Sequence, residues 1–139
     1  MKGIYVLLIS VDQTIRVSIG ALGQKSFQKG FYAYVGSAQN NLEKRIERHL
    51  RRKKHKFWHI DYLLSSRHAR IVAVLYKETG KLGECRIASK LCHENAPVYG
   101  FGSSDCRCKT HLFHIRTKHY LNEFAAKTGL KTFDKGLQS

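Results

Sequence analysis

Glu84 is the carboxylate whose position says most about chemistry. It stands with Ala88 and Leu91 at i, i+4 and i+7, with Ile87 beside them, so a helix there turns it toward its packed side. A half-buried carboxylate needs a cation, a cluster of donors or a raised pKa. Mg²⁺ is the natural candidate where a phosphate ester is cut, because it binds through one or two carboxylates and keeps several waters. An ordinary first-turn glutamate, favoured by the helix dipole, fits the same phasing equally well.

A second group is cationic. Lys44, Arg45, Arg48, Arg51, Arg52, Lys53, Lys54 and Lys56 crowd into residues 44–56, where only Glu43 and Glu47 offset them. On a helix they surround all but an apolar stripe of Leu42, Ile46, Leu50 and the stem of Lys53, with Arg45, His49 and Arg52 along one border. A duplex backbone can lie along such a surface. A solvated helix face is the usual fate of a charge run, but here ion pairing within the run cannot satisfy it.

Cys106, Cys108, His111 and His114 fall within nine residues. Their spacing is not that of a structural zinc site, and Cys85, Cys92 or His93 would have to add ligands, so zinc is not expected. Small buried thiols, with His111 and Asp105 lining the site or satisfying a turn, are the simpler reading. A nucleophilic Cys–His pair lacks any evident oxyanion hole or orienting partner. Near Trp58, His59 and Asp61, either Trp58 or Tyr62 could stack on an unpaired base. Anchoring of a short helix in the core accounts for these aromatics more simply.

The whole chain must position these groups within 139 residues, which suits one domain over 1–130 and a loose tail over 131–139. Twenty-five Lys and Arg against ten Asp and Glu give a net charge of +15, an excess that repels itself and suits a polyanionic partner. DNA is the expected partner, with RNA possible in its place, and no membrane is expected because the basic runs are not attached to a long apolar helix face. The run Ile4–Ile9 superficially resembles a secretion signal. It is short, however, and polar Ser10 and Asp12 follow, so a buried first strand and a cytoplasmic location are expected. In that compartment the four cysteines are expected to be reduced thiols or metal ligands.

Residues 4–11 and 14–19 predict a strand pair joined at Asp12-Gln13, and 31–35 a third strand. Asn40 and Glu43 have capping-box spacing for a helix. A short helix over 57–65, a strand over 71–76, a helix over 83–93, a turn-rich stretch over 97–108 and a helix over 116–128 ending at Gly129 complete the pattern. The class is α+β, an antiparallel-rich sheet of three to four strands flanked by helices.

Gly3-Ile4-Tyr5 on one strand and Tyr34-Val35-Gly36 on another, followed by Leu42-x-x-Arg45-Ile46-x-x-x-Leu50 and by Glu84 opening a later helix, resemble the motif series of the GIY-YIG nucleases. Further phrases resemble an archaeal and bacterial branch of that superfamily whose function is poorly defined: Tyr34-Val35-Gly36-Ser37-Ala38, Trp58-His59-Ile60-Asp61-Tyr62-Leu63-Leu64, Glu84-Cys85, and the 100–113 segment GFGSSDCRCKTHLF. In some members the domain is similar to a module attached to a DNA glycosylase, which makes such an enzyme a possible partner. The resemblance implies a metal-dependent endonuclease of DNA repair or structure-specific cleavage. Tyr5 would be general base or relay, Tyr34 would position the water or phosphate, and Arg45 would neutralise growing phosphate charge. His49 would lie near the phosphate, and Glu84 would hold one Mg²⁺ or Mn²⁺. A tyrosine of pKa ~10 is a poor base unless cations lower it. Two departures stand out: the long 6–33 interval between the motif tyrosines, and Ser37 where several members carry a lysine. A non-catalytic nucleic-acid-binding module that retains the nuclease fold is the alternative.

Overall fold

The computed structural model describes residues 1–102 and 110–134. Strand β1 (Gly3–Val11) is apolar at almost every position and is buried along nearly its whole length, as a strand covered on both faces must be. It pairs antiparallel with β4 (Gly30–Ala38) on one side and with β5 (Ala69–Lys77) on the other. Its side chains alternate between two cores. Tyr5, Leu7 and Ile9 pack with helices α1 (Leu42–Leu50) and α2 (His59–Leu64), whereas Ile4, Val6 and Leu8 pack with α3 (Leu82–Glu94) and α4 (Lys118–Thr128). Helices therefore cover both faces of a mixed α+β fold.

The sheet has six strands rather than the expected three to four, in the order β6-β7-β4-β1-β5-β8. The additions are short: β6 (Ala96–Pro97), β7 (Leu112–Ile115) and β8 (Lys131–Thr132). Two-residue strands are too short to display a period-2 pattern, and β7, buried at three of its four positions, does not alternate. β8 also corrects the expected tail from 131, since Lys131 pairs with Tyr76, Thr132 with Leu75, and Phe133 is buried. Gly129, left-handed at φ +79°, turns the chain out of α4 and into that strand.

The strand over 14–19 does not pair with β1. It forms β2 (Ile15–Ser18), which pairs with β3 (Gln24–Phe27) as a separate ribbon. β4 wins the place beside β1 because it matches it over nine residues and is buried on both faces, while β2 is four residues with every second one exposed. Helix α1 begins one residue later than expected, with Asn41 rather than Asn40 accepting the Lys44 N–H at 3.0 Å. It also ends early, at Leu50, so half of the cationic run lies in irregular chain. Lys54 Nζ accounts for the stop by donating to the carbonyls of His49 and Arg51.

Asp61 clamps α1 to α2. Its carboxylate is fully buried, accepts both guanidinium branches of Arg48 at 3.1 and 2.8 Å, and accepts the backbone N–H groups of Phe57 and Trp58. Burial opposes its ionisation, but Arg48 and the two N–H donors outweigh burial and hold its pKa below the ordinary range. We expect Asp61→Ala to lower stability by about 3 kcal/mol, because it strands Arg48 and two N–H groups, read as a lower urea midpoint. The folded-state pKa lies below the unfolded value of ~3.9. This stabilisation is therefore full above that value and disappears as pH falls through the folded pKa, so wild type and variant converge in acid.

Candidate functional site

The pairing of β1 with β4 sets Tyr5 opposite Gly36. A Cβ on Gly36 would overlap the Tyr5 ring carbon and hydroxyl, so only glycine lets the phenol lie across β4. Tyr34, two residues before Gly36, shares that sheet face and is 8% exposed. The Tyr5 hydroxyl meets His49 Nε2 at 2.7 Å, and the His49 ring lies edge-on to Tyr34 with centroids 6.1 Å apart.

His49 is 2% exposed and belongs to the buried stripe of α1 rather than to its border. Burial, the largest influence, pushes its pKa down to about 3, so the ring is neutral. Among the described residues its Nδ1 has no hydrogen-bond partner. The ring also lines a cleft of about 150 Å³ together with Arg51, Arg52 and Arg70. Burial likewise raises the phenols of Tyr5 and Tyr34, Glu84 raises them further, and Arg45 opposes it.

Arg45 comes from α1 on one face of the sheet and Glu84 from α3 on the other, and both reach Ser37. Arg45 donates to the Ser37 carbonyl at 3.1 Å, while the Ser37 hydroxyl donates to Glu84 Oε1 at 2.9 Å. His111 Nδ1 holds the second oxygen, Oε2, at 3.0 Å. Strand pairing explains how groups from opposite faces meet. β7 covers β4 only from Phe31 to Tyr34, and the Val35 N–H to His111 carbonyl bond ends the contact. Among the described residues no strand pairs the last residues of β4 on that side, and Arg45 and Glu84 reach Ser37 there.

Glu84 is 14% exposed. Burial opposes its charge, but His111 and Ser37 outweigh burial and keep its pKa below the ordinary carboxylate value. It remains an anion, and the described residues use two of its four lone-pair directions. That suits a hydrated Mg²⁺ or Mn²⁺, which asks for one or two carboxylates. Among the described residues no group of three His, Cys, Asp or Glu could hold a metal. Of the zinc candidates, His111 is engaged by Glu84, and Cys106 and Cys108 lie outside the described residues. Cys85 and Cys92 are disulfide-bonded rather than reduced thiols, so their sulfurs are not ligands.

The cationic run divides in two. Arg48 serves Asp61, Arg52 donates to the carbonyls of Leu64, Ser66 and Ala69, and Lys54 caps α1. These three find partners outside the run, in Asp61 and in backbone carbonyls. Lys44, Arg51, Lys53 and Lys56 remain exposed. Arg45 and Arg48 also lie 4.7 and 4.5 Å from the Trp58 ring centroid, a cation–π arrangement. The pairings of Ser37 and His111 with Glu84 and of Asp61 with Arg48 are what sequence spacing does not reveal, although His111 is expected from sequence to line the site or satisfy a turn.

The family model described as domain of unknown function DUF123 matches residues 4–132. The chain belongs to the DUF123 family. No curated protein and no solved structure matches it. The match runs from β1 through β8 and so covers every described element of the DUF123 fold, including the short strands that extend the sheet.

Gly36→Ala should cost about 1–3 kcal/mol by overpacking, because Tyr5 must leave its place against His49. Gly80, with open space around its Cβ position and no left-handed backbone, is the matched control, and Gly80→Ala should leave the urea midpoint nearly unchanged.

Proposed function

We propose that the domain is a metal-dependent endonuclease that hydrolyses DNA phosphodiester bonds, in repair or in structure-specific cleavage. The observation that carries this reading is that Arg45 and Glu84 both bond Ser37 while Tyr5, bonded to His49, lies against the neighbouring Gly36. The likeness of the motif series to the GIY-YIG nucleases and the net charge of +15 support it.

A phosphate beside Ser37 at the end of β4 lies within reach of Arg45, whose planar guanidinium suits phosphate oxygens and the charge that grows on them during in-line attack. Tyr5 takes the proton of the attacking water as it passes its own to His49 Nε2. The raised phenol pKa forbids a standing tyrosinate, and the lowered imidazole pKa forbids a standing imidazolium. The transfer is therefore a relay that balances when a water reaching the buried Nδ1, which has no partner among the described residues, removes its proton as Nε2 gains one. Tyr34 positions the phosphate or the water. Glu84 would hold Mg²⁺ or Mn²⁺, which when bound supplies charge stabilisation at the leaving oxygen.

The second reading, a binding module without cleavage, is favoured by the engagement of both Glu84 oxygens by protein donors. A plasmid-nicking assay separates the two. Cleavage should require Mg²⁺ or Mn²⁺ and stop with chelator, and Arg45→Ala or Glu84→Gln should each reduce it by about 10²–10³-fold. Binding without cleavage of duplex, single-stranded, flap or junction DNA would leave the module reading.

The division of the cationic run gives a separate expectation. Combined Lys44, Arg51 and Lys53 substitutions to alanine should flatten the log affinity versus log salt slope on duplex DNA by about 2–3, near 0.9 for each phosphate no longer neutralised. Arg52→Ala should instead lower the urea midpoint, since it strands three carbonyls.

A further inference from the structure

Beside the Tyr34 ring the surface opens into a cleft of about 280 Å³, lined among others by Phe57, Trp58, His59, Phe101 and Gly102. That is near the lower end of ligand pockets, ~300–1,000 Å³, and suits one flat ring rather than an extended chain. Phe57 is 73% exposed at its margin. It forgoes burial that would be worth about 1.5–3 kcal/mol for a phenylalanine. It is nevertheless anchored: its N–H is held by Asp61 at 2.8 Å, and its ring stands edge-on to Trp58 at 5.1 Å. Opposite, Gly100 and Gly102 both adopt φ +100°, so this wall is bare backbone. His59 pins it by donating from Nδ1 to the Gly100 carbonyl at 2.8 Å, which leaves Nε2 as the ring's acceptor nitrogen. Arg45, 4.7 Å from the Trp58 ring centroid, brings a positive charge to the approach, while Arg48 is neutralised by Asp61.

We propose that this cleft takes an unpaired nucleobase of the DNA strand whose phosphate lies at Arg45, with the base stacked on Phe57. The inference rests on the DNA-directed reading above and narrows its substrate class to DNA with an unpaired nucleotide at the site, as in a single strand, flap or gap. An aromatic platform, a few polar groups and a cationic rim match a base joined to its phosphodiester. Tyr34 lines the cleft and shares a sheet face with Tyr5, so the base and the scissile phosphate sit on adjoining surfaces. A base pair is too wide to enter, whereas a base already out of the stack enters without the unpairing cost.

The test uses the full chain with chelator present, so that binding is read without cleavage. Fluorescence anisotropy compares a labelled duplex, the same duplex bearing a single-stranded flap, and the single strand alone. Wild type should prefer the flap and the single strand. Phe57→Ala should weaken both about 10-fold, within the range of one base–aromatic stack, with duplex binding unchanged, and Phe57→Trp should restore them. Trp58 is the chain's sole tryptophan, so its emission in wild type should be quenched by single strand more than by duplex. Equal wild-type affinity for duplex and flap overturns the proposal, as does a Phe57→Ala effect that is absent or the same on every substrate. Metal-dependent nicking with Phe57-independent binding sinks this inference alone. Phe57-dependent flap binding without nicking sinks only the nuclease reading.

Discussion

The contact on which the candidate site depends is the close approach of the Tyr5 ring to Gly36 across the β1–β4 pair. It fixes three things at once. The phenol lies flat enough to reach His49, the following residue Ser37 is turned to the opposite face toward α3, and the Ser37 carbonyl is left for Arg45. Slippage of the register by one residue would exchange the faces and send Tyr5 into the core of α3 and α4. The two strands match over nine residues, most of them buried, which makes that slip costly. Packing remote from the site thus holds its geometry.

Charge in this protein has two separate uses. Arg48, Arg52 and Lys54 act as internal donors that close helix and loop carbonyls or balance a buried carboxylate, in a segment with little regular hydrogen bonding of its own. The desolvated Lys54 ammonium, its pKa lowered to about 8 chiefly by burial, shows how far such a group has been taken from water. Lys44, Arg51, Lys53 and Lys56 keep their charge at the surface, where salt screens it. A long basic run is therefore not one uniform charged face.

Sequence displayed the long elements well. β1, β4 and β5 announce themselves by aliphatic runs, and α3 and α4 by their periodicity and the Gly129 stop. The phasing that turns Glu84 inward was legible too, because it depends only on Ile87, Ala88 and Leu91 beside it. Its partners were not. His111 lies 27 residues further along the chain, and Arg45 uses a backbone carbonyl of Ser37, which any residue type would supply. Asp61 and Arg48 are joined through irregular chain between two helices, where no periodicity links them. β3 is mostly polar, and β6 and β8 are two residues each, below the length at which alternation has meaning. The disulfides of Cys85 and Cys92 follow from neither spacing nor composition, since the same cysteines in a reducing compartment would be thiols.

The sheet ends on both sides in a strand of two residues, β6 at one margin and β8 at the other. β8 covers only Leu75 and Tyr76 of the nine-residue β5, and among the described residues no strand covers Ala69–Val74, where Arg52 and Phe133 take the Ala69 and Val74 carbonyls. That margin keeps a row of backbone groups on which a neighbouring copy could add a strand. A net charge of +15 opposes such an approach, because like-charged copies repel one another in solution.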